Sequence, residues 1–209
     1  MDRRSIFFAV LLAMLLSIAG IFILDRPVAQ LVHQLGGEHS KFFVAGTSAL
    51  EIIFGITVSK FALGLALILI GLALLAWKAG RHIGLMVLFV GCTHFTARLA
   101  TGVLKEVFHR LRPYEVLASG GWDDQFFAAH GGSFPSGHAT HFWALFFPLA
   151  FLFPKLRIPL VVVPMFIAIA RVAVNDHWLS DVFASVSICG AITLLFIWVF
   201  GKVLPAGPE

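Results

Sequence analysis

FPSGHATHFWALFFPLAFLF, residues 134–153, joins a small polar turn to an apolar run free of Asp, Glu, Lys and Arg. Crossing the hydrocarbon of a bilayer takes about 17–25 apolar residues. The run from residue 137 to 153 meets that length, and five others do so: 5–24, 61–77, 83–107, 158–174 and 181–200. The third in chain order is the least uniform, because it carries His94, Arg98 and Lys105. Residues 40–58 are apolar but broken by Lys41, Gly46, Glu51 and Gly55, and read as an interfacial or re-entrant helix with Glu51 as a surface anchor. The whole chain of 209 residues is 59% hydrophobic and 12% charged, whereas a soluble domain is about a quarter charged. The expected fold is therefore all-α: one polytopic membrane domain over 1–209, with six transmembrane helices in a bundle.

Charge sets the expected orientation. With the N-terminus in the cytoplasm, segments 1–4, 78–82, 154–157 and 201–209 lie inside. They hold Arg3, Arg4, Lys78, Arg81, Lys155, Arg157 and Lys202, seven basic residues in 22. Segments 25–60, 108–136 and 175–180 then lie outside, with Arg26, Lys41, Lys60, Arg110 and Arg112, five in 71. Basic residues concentrate in cytoplasmic loops, so both termini are expected there. The basic start and Ser17-Ile18-Ala19 would also suit a signal peptide. The apolar run continues through Leu24, however, and an uncleaved helix is expected. The net charge of +4 is scattered, which argues against a nucleic-acid partner. Cys92 and Cys189 sit in apolar runs and read as core residues. Pro148, Pro159 and Pro164 are expected to kink the bundle without ending helices.

Charges inside a bilayer are costly unless paired or facing a cavity. Here the polar residues collect at three places on the outward side. Lys105 ends the third span, and Pro113 turns Arg112 out of helical geometry, back toward Lys105. A lysine point charge and an arginine fork suit a phosphate. Ser136 reads as an N-cap, and Gly137 lets a ligand approach the unpaired amides of a helix start, an anion site. His138, in that first turn, is placed to give a proton to a leaving oxygen. In the third place, Arg171 ends the fifth span. His177 and Asp181 are four apart and share a face if the last helix begins near Asp176. A carboxylate on one ring nitrogen leaves the other free to attack.

Lys105-x6-Arg112-Pro113, Pro135-Ser136-Gly137-His138 and Arg171-x5-His177-x3-Asp181 together resemble the three-part signature of the type 2 phosphatidic acid phosphatase superfamily. The motifs cover residues 105–181, and the six-span layout extends the resemblance over nearly the whole chain. The resemblance implies that His177 is the nucleophile forming a phosphohistidine and Asp181 its orienting partner. His138 is then the general acid. Lys105, Arg112, Arg171, Ser136 and the Gly137 amide form the phosphate cradle, with Pro135 in the turn. It implies no metal or other cofactor. Ala170 stands where the third motif usually has serine, which removes one hydroxyl contact. The implied substrate is a lipid phosphate: lipid A 1-phosphate, phosphatidylglycerol phosphate, phosphatidic acid or undecaprenyl diphosphate. The implied place is a bacterial inner membrane, with the site facing the periplasm.

Outside the signature, Arg98 lies seven residues before Lys105 on nearly the same face. It reads as a brace on backbone carbonyls or a second anion contact. His141 reads as a packed helix residue. The long outer loop, 108–136, carries Trp122, Phe126, Phe127 and Phe134, with Asp123, Asp124 and His130 as solvated or gating groups. Two rival readings remain open: a metal or proton transporter using His138, His141, His177 and Asp181, and a non-catalytic membrane scaffold.

Overall fold

A computed structural model describes residues 1–120, 125–201, 203 and 204. Trp122, Asp123, Asp124 and Lys202 lie outside the described residues. Among those described there is no strand, and the chain is helical throughout.

Helix α1 (Arg3–Ala19) starts where the Asp2 side chain accepts from the Ser5 amide at 2.9 Å. A π-helical turn (Gly20–Leu24) leads straight into α2 (Asp25–Gln34). The first helix therefore does not stop at residue 24 as the hydropathy predicts. It runs on to Gln34, because Asp25 is only 2% exposed and finds partners inside the bundle. Helix α3 (Lys41–Ile53) falls within the expected interfacial stretch and shows Phe42, Val44, Ile52 and Ile53 outward.

Helices α4 (Ala62–Ala76) and α5 (Arg81–Phe108) form an antiparallel pair. Their contact is close because it is built on glycine. A Cβ on Gly71 would lie 2.8 Å from the Leu88 amide nitrogen, and one on Gly91 would lie 2.8 Å from that of Ile68. Such backbone proximity is the usual device where both helix and surroundings are apolar. His109, at φ 39°, ends α5 in the left-handed region. The segment expected as a loop contains a short helix, α6 (Pro113–Ser119), with proline at its first position and the Glu115 carboxylate accepting from the Arg112 amide at 2.6 Å.

Helix α7 (Gly137–Leu152) is the axis of the bundle. Almost every side chain from Ala139 to Leu152 is buried, against α5, α8 (Arg157–Ala173) and α9 (Leu179–Phe200). It runs through Pro148, and α8 runs through Pro164. Helix α1 packs along α9. The outer helices present large apolar residues outward, among them Phe8, Phe22 and Trp198. Among the described residues, four helical stretches are long and apolar enough to cross a membrane: Arg3–Gln34, Lys78–Ser119, Pro154–Ala173 and Leu179–Phe200. Helices α4 and α7, of 15 and 16 residues, are shorter.

The α4–α5 seam makes a direct prediction. Gly91→Leu must push α4 away, and overpacking of this kind costs about 1–3 kcal/mol. The melting temperature in detergent should fall, whereas Gly102→Leu, whose Cβ would meet nothing within 4 Å, should leave it unchanged.

Candidate active site

The C-terminal ends of α5 and α8 and the N-terminal ends of α7 and α9 meet at one end of the bundle. Between them is a cavity of about 130 Å³ lined by Ile56, Arg98, Lys105, Arg112, Gly137, His138 and His177. Three cations and two imidazoles from stretches up to 79 residues apart thus face one small space.

Each cation is fixed by an oxygen. Lys105 donates to the Gly132 carbonyl. Arg98 donates to the carbonyls of Lys60, at 3.2 Å, and Gly137. Arg98 is thus braced by backbone carbonyls, and it also faces the cavity. Arg112 pairs with Asp176, which also pairs with Arg171. Arg171 does not line the cavity itself, but it shares Asp176 with Arg112 and lies within electrostatic reach of His138. Ser136 is fully buried and its hydroxyl is used as a cap, accepting from the Ala139 amide at 3.4 Å. Pro135 is buried in the preceding turn, and Ala170 is buried on α8.

His177 does not share a helical face with Asp181, as the spacing predicts. Helix α9 begins at Leu179, so His177 lies in the turn before it. The pair forms because Asp181 is the third residue of α9 and folds back over the helix start, accepting from the Trp178 amide at 3.0 Å. Its Oδ2 lies 3.3 Å from His177 Nδ1, and the Ser133 hydroxyl donates to the same oxygen at 2.5 Å. His177 is 2% exposed. Burial pushes its imidazole down to about 4, with Asp181 opposing that shift. The ring is accordingly neutral near pH 7, with Nε2 unprotonated when Nδ1 donates to Asp181.

Four residues of this site escaped the sequence reading. Arg110, counted there only as an outward charge, has no exposed surface. Its guanidinium donates to Asp181 Oδ1 at 2.6 Å, Asp25 Oδ2 at 2.6 Å, Ser180 Oγ at 2.7 Å and Gln125 Oε1 at 3.0 Å. It also lies over the rings of Phe126 and Trp178. Asp25 accepts in addition from the Ser180 amide at 2.9 Å. Ser133 was unmarked. Glu51, expected as a surface anchor, instead accepts from His138 Nε2 at 2.5 Å. The available signal was an acidic residue within an apolar stretch, since a charge there must find a partner. His141 is away from the cavity, 3.1 Å from His94 in a buried pair.

The family model for the PAP2 superfamily matches residues 79–204. The chain belongs to the PAP2 superfamily. A lipid A 1-phosphatase from Rhizobium etli is 32% identical over 200 residues, 93% of this chain and 82% of that protein. A lipid A 1-phosphatase from Rhizobium johnstonii is 33% identical over 106 residues, 50% of this chain and 43% of that protein. A PAP2-type phosphatidylglycerolphosphate phosphatase from Bacillus subtilis, known from its crystal structure, is 23% identical. That likeness covers 90% of this chain and 97% of the other, with a TM-score of 0.44. The PAP2 match includes every signature residue, but Asp25 and Glu51 precede it.

Removing one partner of a buried ion pair leaves the other charge uncompensated, at about 3–5 kcal/mol. Arg110 keeps Asp181 when Asp25 is neutralised, so Asp25→Asn should lower resistance to unfolding in detergent by less than that, about 1.5–3 kcal/mol. Asp2→Asn, at the exposed start of α1, should cost far less.

Proposed function

We propose that this protein is a PAP2 membrane lipid phosphatase that removes a phosphate from a lipid headgroup through a phosphohistidine. The observation that carries the reading is the shared cavity: His138 and His177 face it together with Arg98, Lys105 and Arg112. Similarity to the Rhizobium etli protein over 93% of this chain favours lipid A 1-phosphate as the substrate. Phosphatidylglycerol phosphate and undecaprenyl diphosphate are the next candidates.

The chemistry follows from the placement of charge. Phosphoryl transfer depends mainly on positioning and electrostatic stabilisation. Lys105, Arg98 and Arg112 are held by carbonyl and carboxylate oxygens before any substrate arrives, so little reorganisation is needed. Arg171 supports Arg112 through Asp176. With Nδ1 directed to Asp181, His177 attacks phosphorus through Nε2. The bond from phosphorus to the leaving oxygen breaks, and His138 gives that oxygen a proton. A water then attacks the phosphohistidine, His138 takes its proton, and the N–P bond breaks to release inorganic phosphate. No step calls for a metal.

The site residues come from two helix C-termini and two N-termini at one end of the bundle. The basic residues Arg3, Arg4, Lys155 and Arg157 belong to the opposite helix ends. This supports six spans in a single domain, with α4 and α7 as the two short ones. Both termini are then cytoplasmic, and the site faces the periplasm from a bacterial inner membrane. A lipid headgroup reaches the cavity from the outer leaflet.

The test is phosphate release from lipid A, phosphatidylglycerol phosphate and undecaprenyl diphosphate in detergent, with and without EDTA. Lipid A should be turned over fastest, with no loss to the chelator. His177→Ala should abolish turnover while the protein still elutes and melts like the parent; near-full turnover by that variant sinks the mechanism. In rapid-quench experiments, the acid-stable to acid-labile protein phosphate ratio identifies the phosphohistidine. Its rate of formation should hold from neutral pH downward and fall only as pH passes through about 4, where His177 takes up a proton.

A further inference from the structure

Helix α3 brings a carboxylate into the site that lies outside the signature. Glu51 is the one acidic residue of Lys41–Ile53, a helix that also shows Phe42, Val44, Ile52 and Ile53 outward. Its place is fixed by aromatic packing. Phe54, three residues on, packs edge-to-face on Phe142 and Phe146 of α7, at 5.2 and 5.6 Å between ring centroids. Phe142 lies one turn beyond His138, so this contact docks the end of α3 beside the histidine. At the other end, Phe42 and Phe43 pack on Phe166 of α8. The segment is thereby held at both ends, and Glu51 Oε1 meets His138 Nε2 at 2.5 Å. Two residues past the docking phenylalanine, Ile56 lines the cavity itself.

The chemistry of the pair follows from what surrounds it. A general acid must hold a second ring proton until the leaving oxygen takes one. His138 shares its cavity with Arg98, Lys105 and Arg112, three positive groups. A carboxylate at hydrogen-bond distance fixes the orientation of the ring among them. It also engages Nε2, which leaves Nδ1 as the nitrogen that exchanges a proton with the substrate. We propose that Glu51 is a positioning residue for catalysis, orienting His138 by engaging Nε2 so that Nδ1 is presented to the substrate. This rests on the assignment of His138 as proton donor above. The site then has two carboxylate–imidazole pairs: Asp181 with the nucleophile and Glu51 with the acid.

A double-mutant cycle on lipid A in detergent tests it. Glu51→Gln should lower kcat about 10- to 100-fold, a part of what general acid–base catalysis supplies, with KM within about threefold. Glu51→Asp should recover part of the loss. In a His138→Ala background, Glu51→Gln should change kcat by less than about twofold, because the effect passes through the missing ring. Parental kcat in Glu51→Gln, or an equal loss in both backgrounds, overturns the proposal. A second measurement does not depend on turnover. In protein labelled with ¹⁵N-histidine, the ring proton on His138 Nε2 should resonate far downfield and lose that shift in Glu51→Gln. An unchanged resonance overturns the pairing. If the parent protein releases no phosphate from any of the three lipids, the proposed function falls, while the ring resonance still decides the pair.

Discussion

A guanidinium with no exposed surface, deep in an apolar bundle, is a constraint that the rest of the fold must satisfy. Burying such a charge costs several kcal/mol unless oxygens replace the lost water. Arg110 has four such partners, two of them carboxylates. Asp25 comes from the first helical stretch and Asp181 from the last helix, so one side chain ties together the two ends of the chain and the segment leaving α5. The requirement explains why the first helix continues past its apolar run. If it stopped at residue 24, Asp25 would not stand against Arg110 and the α9 start. An ion pair of this kind specifies an arrangement more than it adds stability, and what it specifies here is the position of Asp181.

From Asp181 the constraint passes to the chemistry. One carboxylate oxygen faces Arg110, and the other gathers the Ser133 hydroxyl, the Trp178 amide and His177 Nδ1. With every partner a donor, the carboxylate cannot turn without losing several bonds at once. The imidazole inherits that rigidity. The cations opposite are fixed differently, by the carbonyls of Lys60, Gly132 and Gly137 and by Asp176. The carbonyls are neutral dipoles, and the single carboxylate Asp176 is shared by Arg112 and Arg171, so positive charge remains available to an anion.

What was legible in the sequence was whatever stood out locally. The apolar runs, the Pro-Ser-Gly-His turn and the cations at the end of α5 announce themselves within a few residues. The residues that were missed are those defined by distant partners. Glu51 meets a histidine 87 positions away, and Asp25 meets an arginine 85 positions away. No periodicity encodes either pairing. His177 and Asp181 were found for an incorrect reason. Their spacing suggests a shared helical face, but the contact is made by an aspartate capping the helix that begins between them. The boundary was hidden because Trp178 and Leu179 are apolar enough to belong to either the turn or the helix.

The two histidines of the cavity sit in unlike surroundings, and the difference suits unlike tasks. The side chains of His177 and Asp181 are 2% and 0% exposed, whereas those of His138 and Glu51 are 24% and 23% exposed. A nucleophile gains from dryness: burial keeps its ring neutral, and water does not compete for its lone pair. A group that protonates a departing oxygen and then activates water must instead meet both, and so belongs near the opening. Arg98, Lys105 and Arg112 line the same cavity. On the mechanism proposed above, the attacking nitrogen is then on the closed side and the leaving oxygen toward the lip, the order that in-line displacement requires.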